Sequence, residues 1–257
     1  MIERVAVTRY VTPLREGGSL PGLVEGADLG TYVCKFRGAG QGERVLVAEV
    51  IVSGLAGRLG LRTPDLVGLD LDPQLARYEA DQEVQDLLNA SPGLNLGIDF
   101  LPGSFGYDGE VAGELEGDAD TAARILWLDA FTANVDRTWR NPNLLLWHGQ
   151  VWVIDHGASL YFHHGWSGGV GDPARFAAQP WDVQGHVFAS SAEHLARTDA
   201  AIDLSEADLR AVVADVPDEW LTPVPGTETP DALREAYVTF LSARLATRSW
   251  LPRASAA

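Results

Sequence analysis

The chain has 257 residues, 46% hydrophobic and 21% charged, enough to bury one large domain or two small lobes and too apolar for a disordered chain. Lys and Arg total 19 against 36 Asp and Glu, a formal charge of −17, and a surface that acidic repels nucleic-acid phosphates and anionic lipid. The single cysteine, Cys34, excludes an internal disulfide and a cysteine-cluster zinc site, and suits a reducing, cytoplasmic setting.

The opening residues carry charge at Glu3 and Arg4 and lead into no long apolar run, so they do not read as a secretory signal. No later stretch reaches the roughly 18 apolar residues of a membrane span. Residues 2–11 alternate apolar and polar and are rich in Val, Thr and Tyr, which predicts a strand. Gly17-Gly18-Ser19 breaks it, residues 20–24 resume, 25–28 turn, and 32–36 form a third strand, together a small antiparallel meander. After a glycine loop at 38–42, Val47, Val50, Ile51, Leu55 and Leu59 recur at helical spacing and predict a helix over 44–59, stopped by Gly60 and Pro64. Residues 66–71 read as a strand, 81–90 as a helix and 94–101 as a strand ending at Pro102-Gly103. The Gly-rich acidic stretch 103–120 then marks a boundary between lobes at 1–101 and 102–257.

The second lobe opens on a helix over 121–135. Ala122, Ile125, Leu128 and Phe131 form its buried row, and Arg124 and Asp129 are assigned to its polar face. A loop over 136–142 leads to a hairpin, strands 144–147 and 151–154, and then to an aperiodic, aromatic-rich stretch at 157–180. Residues 187–197, 205–214 and 230–247 read as helices, with Ser205 and Asp208 spaced as an N-cap pair. Strands first and helices second, with no internal repeat, predict an α+β fold in two lobes.

Lys35 sits inside an apolar strand, where an isolated ammonium is costly and calls for an anion. Glu49, on the following helix, can supply one, and such a pair can hold nucleotide phosphates; the alternative leaves both side chains facing solvent. Asp136 and Asn141 stand five apart between a helix and a hairpin, the spacing at which kinase-type phosphotransferases orient an acceptor hydroxyl with the Asp and reach magnesium with the Asn. Asn143, two residues on, is a second candidate amide, and an Asn/Asp-rich turn that satisfies only its own backbone is the plainer alternative. Asp155, at the end of the hairpin, precedes His156 and Gly157 and takes the place of the metal-binding Asp of an Asp-Phe-Gly motif, the glycine permitting a sharp turn. A strand lysine, a helix glutamate, an Asp-x-x-x-x-Asn loop and a hairpin-ending Asp-x-Gly fall in kinase order, and together they favour a phosphotransferase.

Residues 134–157 resemble the catalytic segment of HipA-like kinases, which share a core with protein and phosphoinositide kinases. The resemblance extends over about residues 8–195 through 13–21, 35–42, Ala48-Glu49 and 60–64. It implies a bilobal protein-kinase-like fold: a small antiparallel-sheet N-terminal lobe with one main helix, and a mainly helical C-terminal lobe. It implies ATP and Mg2+ as cofactors, Lys35 as phosphate anchor, Glu49 as its partner, Asp136 as catalytic Asp, and Asn141 and Asp155 as magnesium ligands. Gly17, Gly18 and Ser19 fall where a turn covers the phosphates, and Asp99, Phe100 and Leu101 where a hinge binds adenine. The implied reaction carries the γ-phosphoryl group to a hydroxyl, a protein hydroxyl being favoured. A nucleotide-sensing pseudokinase and a small-molecule kinase of the aminoglycoside type, whose cationic acceptor would suit an acidic pocket, are the alternatives. Thr138 stands where lipid kinases carry His, and His156 replaces the Phe of Asp-Phe-Gly. The match leaves no room for the extra N-terminal subdomain of the HipA toxin, so neither a toxin role nor a DNA-binding partner is implied.

Weaker signals are read against these. Gly38-x-Gly40-x-Gly42 departs from a dinucleotide fingerprint at Glu43 and is either a phosphate-facing loop or a plain one. His163, His164 and His186 match no metal spacing and read as structural. Trp139 and Arg140 are candidates to touch substrate, and Arg137 either offsets the charge of the site or braces its loop.

Overall fold

The computed structural model describes residues 2–14, 20–40, 42–108, 119–199 and 202–252; the predicted phosphate-covering turn, Gly17, Gly18 and Ser19, lies outside them. The chain divides into two units, residues 1–47, 64–102 and 216–221 in one, and residues 48–63, 103–215 and 222–257 in the other.

In the first unit, β1 (Glu3–Pro13), β2 (Gly22–Gly26), β3 (Thr31–Lys35), β4 (Leu66–Leu71) and β5 (Gly93–Asp99) close into a barrel in the order β1-β2-β3-β5-β4. The predicted sheet was antiparallel throughout; the closing pair, β1 with β4, is parallel, from Glu3 opposite Val67 to Ala6 opposite Asp70. The physical reason is the connection. A helix lies between β3 and β4 in the chain, and a crossover of that length lets a strand return parallel, whereas hairpins force antiparallel pairing. Closure also removes the two edges an open sheet would expose. Alternation along the strands sends Val5, Val7, Val24, Tyr32, Cys34 and Leu69 into the core. Burial pushes the Cys34 thiol well above its ordinary range, so it is a packing residue. After α1 (Glu43–Arg58) in the chain, helix α2 covers Gln82–Asn89, capped by the Asp81 side chain on Glu83 N–H, and buries Val84 and Leu88. Residues 216–221 join the barrel through Trp220, whose buried indole N–H donates to Leu94 O at 3.0 Å, and through an Arg4–Glu219 ion pair.

Helix α1 (Glu43–Arg58) belongs from Ala48 onward to the second unit, with α3 (Ala119–Thr132) and a three-stranded sheet of β6 (Phe105–Gly106), β7 (Leu144–Trp147) and β8 (Gln150–Val153). Residues 105–106, predicted as part of a linker, pair with β7, Phe105 opposite Leu146. Helices α4 (Pro173–Ala178), α5 (Ala192–Thr198), α6 (Glu206–Ala214) and α7 (Pro230–Thr247) complete the unit. Helix α6 carries a full capping box between Ser205 and Asp208, as their spacing predicted.

Three readings need correction. Helix α3 is not amphipathic: every residue from Ile125 to Thr132 is buried, Asp129 included, because α5 and α7 pack around it and Trp127 and Phe131 pack against Trp250, the first edge-on. Its end is Thr132 rather than 135, since Ala133 takes φ +53° and breaks the helical run. The aperiodic stretch at 157–180 is ordered as a 3-10 helix (Tyr161–Gly168) and α4, with Phe162, Trp166 and Phe176 packed against Tyr237 and Phe240 of α7. No helix among the described residues is long and apolar enough to cross a membrane.

Candidate active site

The loop that follows α3 is assembled by short-range hydrogen bonds. Asn134, buried, accepts the Asp136 N–H on its Oδ1 at 3.0 Å and donates from Nδ2 to Asp129 Oδ1 at 2.8 Å. Asp136 is half-buried, and its Oδ2 accepts from Asn141 Nδ2 at 3.0 Å and more distantly from Asn143 Nδ2 at 3.4 Å. Thr138 closes the turn on itself, exchanging backbone hydrogen bonds with Asn141 and accepting the Asn141 N–H on Oγ1. The five-residue spacing therefore brings Asp136 and Asn141 together. Asn141 uses its N–H2 on Asp136, which leaves its Oδ1 as the atom a cation would need.

Asp155 follows β8 in a left-handed conformation, φ +53°, which L-residues generally avoid and Asp tolerates better than most. The turn it opens is held from α1. Glu49, 1% exposed, accepts the His156 N–H on Oε2 at 3.0 Å. Asn141 Oδ1 and the Asp155 carboxylate are hard oxygen donors of the kind Mg2+ takes when phosphates and water complete its shell, so the residues present fit that ion. Among the described residues no group of three or more His, Cys, Asp or Glu side chains is arranged to hold a metal.

Asp129 is the part the sequence reading misplaced. It is fully buried, and its Oδ2 pairs with Arg137 Nε at 2.6 Å and His186 Nε2 at 2.9 Å. Burial opposes its ionisation, but the charge of Arg137 and the hydrogen bond from His186 outweigh it and hold the carboxyl well below the usual range. Arg137 spends three more donors on Asn143 O at 2.6 Å, Ile154 O at 3.1 Å and His156 Nδ1 at 3.3 Å. Of its two readings, then, bracing is the one the geometry supports: Arg137 ties the Asp136 loop to the strand end that carries Asp155. The signal was present in the sequence, an acid inside Ile125-Leu126-Trp127-Leu128-Asp129-Ala130-Phe131, which must find a cation. A second buried arginine, Arg244 of α7, caps the same helix by donating to Ala130 O and Phe131 O, and ties it to the end of α4 by donating to Phe176 O and Gln179 O. Desolvation lowers its pKa to about 10, and no carboxylate accompanies it in these bonds. It supplies positive charge where the helix dipole is negative.

The other predicted positions lie in the first unit. Lys35 ends β3 opposite Leu96, on the strand face away from the buried Tyr32 and Cys34. It is the sole lysine of the chain, every other Lys/Arg position being arginine. The turn after it is pinned by Asn95, which accepts the Arg37 N–H at 2.9 Å, and by Ser91 Oγ, which accepts the Gly38 N–H at 3.1 Å. Gly38 is explained by packing, since a Cβ there would meet Ala90 O at 2.4 Å. In the predicted hinge, Asp99 N–H donates to Asp65 O and Phe100 N–H to Thr31 O. Among the described residues no backbone carbonyl accepts the Leu101 N–H. Burial and then the neighbouring Asp65 push the Asp99 carboxyl above its usual range. His163 bonds Tyr237 Oη at 3.0 Å inside the aromatic cluster, and His186 bonds Asp129, so both have structural partners.

A family model described as HipA-like kinase matches residues 7–249. Among solved structures, the Helicobacter pylori proinflammatory kinase CtkA aligns with a TM-score of 0.52 at 12% identity, over 96% of this chain and 95% of that one. A Golgi casein kinase aligns at a TM-score of 0.38 and 13% identity, over 96% and 72% of the two chains. No curated protein sequence matches. The likeness to CtkA is one of fold, and it places this mixed α/β chain among kinase folds.

Proposed function

The chain belongs to the HipA-like kinase family, and we propose that it is a Mg2+-dependent phosphotransferase that moves the γ-phosphoryl group of ATP to a protein hydroxyl in the cytoplasm. The observation that carries this reading is the Asp136–Asn141 pair, bonded at 3.0 Å, in a loop that Arg137 ties to the strand end bearing Asp155. Asp136 orients the acceptor hydroxyl and takes its proton as the oxygen attacks the γ-phosphorus and the bond to the β–γ bridging oxygen breaks, releasing ADP. Asn141 and Asp155 hold Mg2+, which neutralises charge on the phosphates. Lys35 anchors the phosphates, where a compact ammonium serves better than the guanidinium used at every other basic position. Glu49 is its proposed partner. Gly17, Gly18 and Ser19 cover the phosphates. Asp99, Phe100 and Leu101 form the adenine hinge, with Leu101 N–H, uncommitted to any described carbonyl, as the donor. Catalysis then rests on positioning and charge rather than covalent chemistry.

A protein acceptor is favoured over a cationic small molecule by the residues beside Asp136. Trp139 is 65% exposed, and the Arg140 guanidinium lies 4.4 Å over its ring, so the loop presents an aromatic surface and a fixed positive charge. That charge repels an aminoglycoside-like amine. The test is transfer from γ-labelled ATP to a protein substrate panel, with small amino alcohols in parallel. Wild type is expected to label protein and Asp136→Ala to lose transfer by at least about a hundredfold while still binding nucleotide. Equal labelling by the variant would overturn the assignment.

A further inference from the structure

Residues 181–188 run beside the Asp136 loop and bond to it repeatedly. Trp181 Nε1 donates to Asn134 O at 2.7 Å, Val187 N–H donates to Arg137 O at 3.2 Å, and His186 and Thr138 form an antiparallel bridge. The side-chain link is His186, 7% exposed. Its Nδ1 accepts the Phe188 N–H at 3.0 Å and so carries no proton; Nε2 is therefore the N–H that donates to Asp129 Oδ2 at 2.9 Å. The other groups on Asp129 are Arg137 Nε, on the same oxygen, and Asn134 Nδ2, on Oδ1. Asn134 in turn accepts the Asp136 N–H. A continuous chain of bonds thus runs from residues 181–188 through Asp129 to the backbone of Asp136.

We propose that His186 is a positioning residue for phosphoryl transfer: by donating to Asp129 it sets the carboxylate that holds Asn134 and Arg137, and so makes the geometry at Asp136 depend on the docking of residues 181–188. The proposal rests on the kinase reading above. Misplacing a reacting group by a fraction of an ångström costs rate rather than substrate affinity.

Two substitutions separate this role from packing. His186→Gln keeps a donor at the Nε2 position and gives up the acceptor for Phe188 N–H. His186→Asn keeps that acceptor and gives up the donor to Asp129. The proposal expects kcat to fall about tenfold or more in His186→Asn with KM for ATP changed by less than about twofold, and expects His186→Gln to stay near wild type. Hydrogen exchange over residues 134–141 is read in the same proteins and is expected to rise in His186→Asn alone. Equal kcat and equal exchange in the two variants, or a loss confined to His186→Gln, would overturn it. A wild type that transfers no phosphoryl group overturns the kinase reading instead, and the exchange pattern still decides the role of His186. If His186→Asn does not fold, Trp181→Phe, which removes the bond to Asn134 O and keeps an aromatic ring in place of the indole, must show the same loss of kcat at constant KM, and an unchanged kcat there counts against the proposal.

Discussion

Asp129 and Arg137 are both fully buried, and each is tolerable only because the other is there. Asp129→Asn keeps the shape and removes the charge, leaving the Arg137 cation uncompensated. The expected cost is about 3–5 kcal/mol, read as a lower urea midpoint at neutral pH. The pH dependence follows from the direction of the shift. A carboxyl held below its unfolded value, near 3.9, contributes stability that is fully present above about pH 4 and is lost as pH falls through the folded value. The gap between wild type and Asp129→Asn is therefore expected to narrow below about pH 4; a constant gap would show that the ionised form contributes nothing specific. At Lys35 the chain offers an unusual experiment, because there is no other lysine. An acyl-phosphate analogue of ATP, which acylates a lysine beside bound phosphates, is expected to add one label, blocked by ATP and absent in Lys35→Arg. No ATP-protected label would remove Lys35 from the site. The contact between Asp136 and Asn141 and the sharp turn at Asp155 were legible because they are local, a fixed spacing within a loop and the end of a hairpin. The Asp129 hub was not, because one of its partners, His186, lies 57 residues away and a three-residue period put the acid on a polar face that does not exist.

At the scale of elements, what was legible had periodicity or punctuation behind it. Helices α1, α2, α6 and α7 and the β7–β8 hairpin fall close to their predicted spans, since apolar spacing, capping residues and Gly/Pro stops all act within a few residues. The 3-10 helix over Tyr161–Gly168 was not legible: its aromatic residues pack against α7, and a helix of that kind shows no 3.6-residue period. The parallel closure of the barrel was equally hidden, because register between β1 and β4 is decided by the whole connection between them. Arg244→Met would take this donor from the buried carbonyls of Ala130 and Phe131 at the end of α3 and is expected to cost about 3 kcal/mol or more by denaturant midpoint. A neutral effect would mean that the C-terminal end of α3 is satisfied without it. Ser205→Ala removes the α6 cap and is expected to cost about 1 kcal/mol, with nucleotide binding unchanged.

For the whole molecule, the family membership names the ligand to test, and the acidic composition constrains how it can bind. A chain with a formal charge of −17 has little general affinity for polyanions, so a nucleotide that binds must do so through a local site. The most direct measurement is a thermal-shift titration with ATP, with and without Mg2+, on wild type and Asp155→Ala. Ligand at about one hundred times its dissociation constant adds about 2.7 kcal/mol, a rise in Tm of about 5–10 °C for a chain of this size. A rise of that order that requires Mg2+ and is lost in Asp155→Ala is expected. A Tm unmoved by ATP, or a rise that Asp155→Ala retains in full, would contradict the kinase reading.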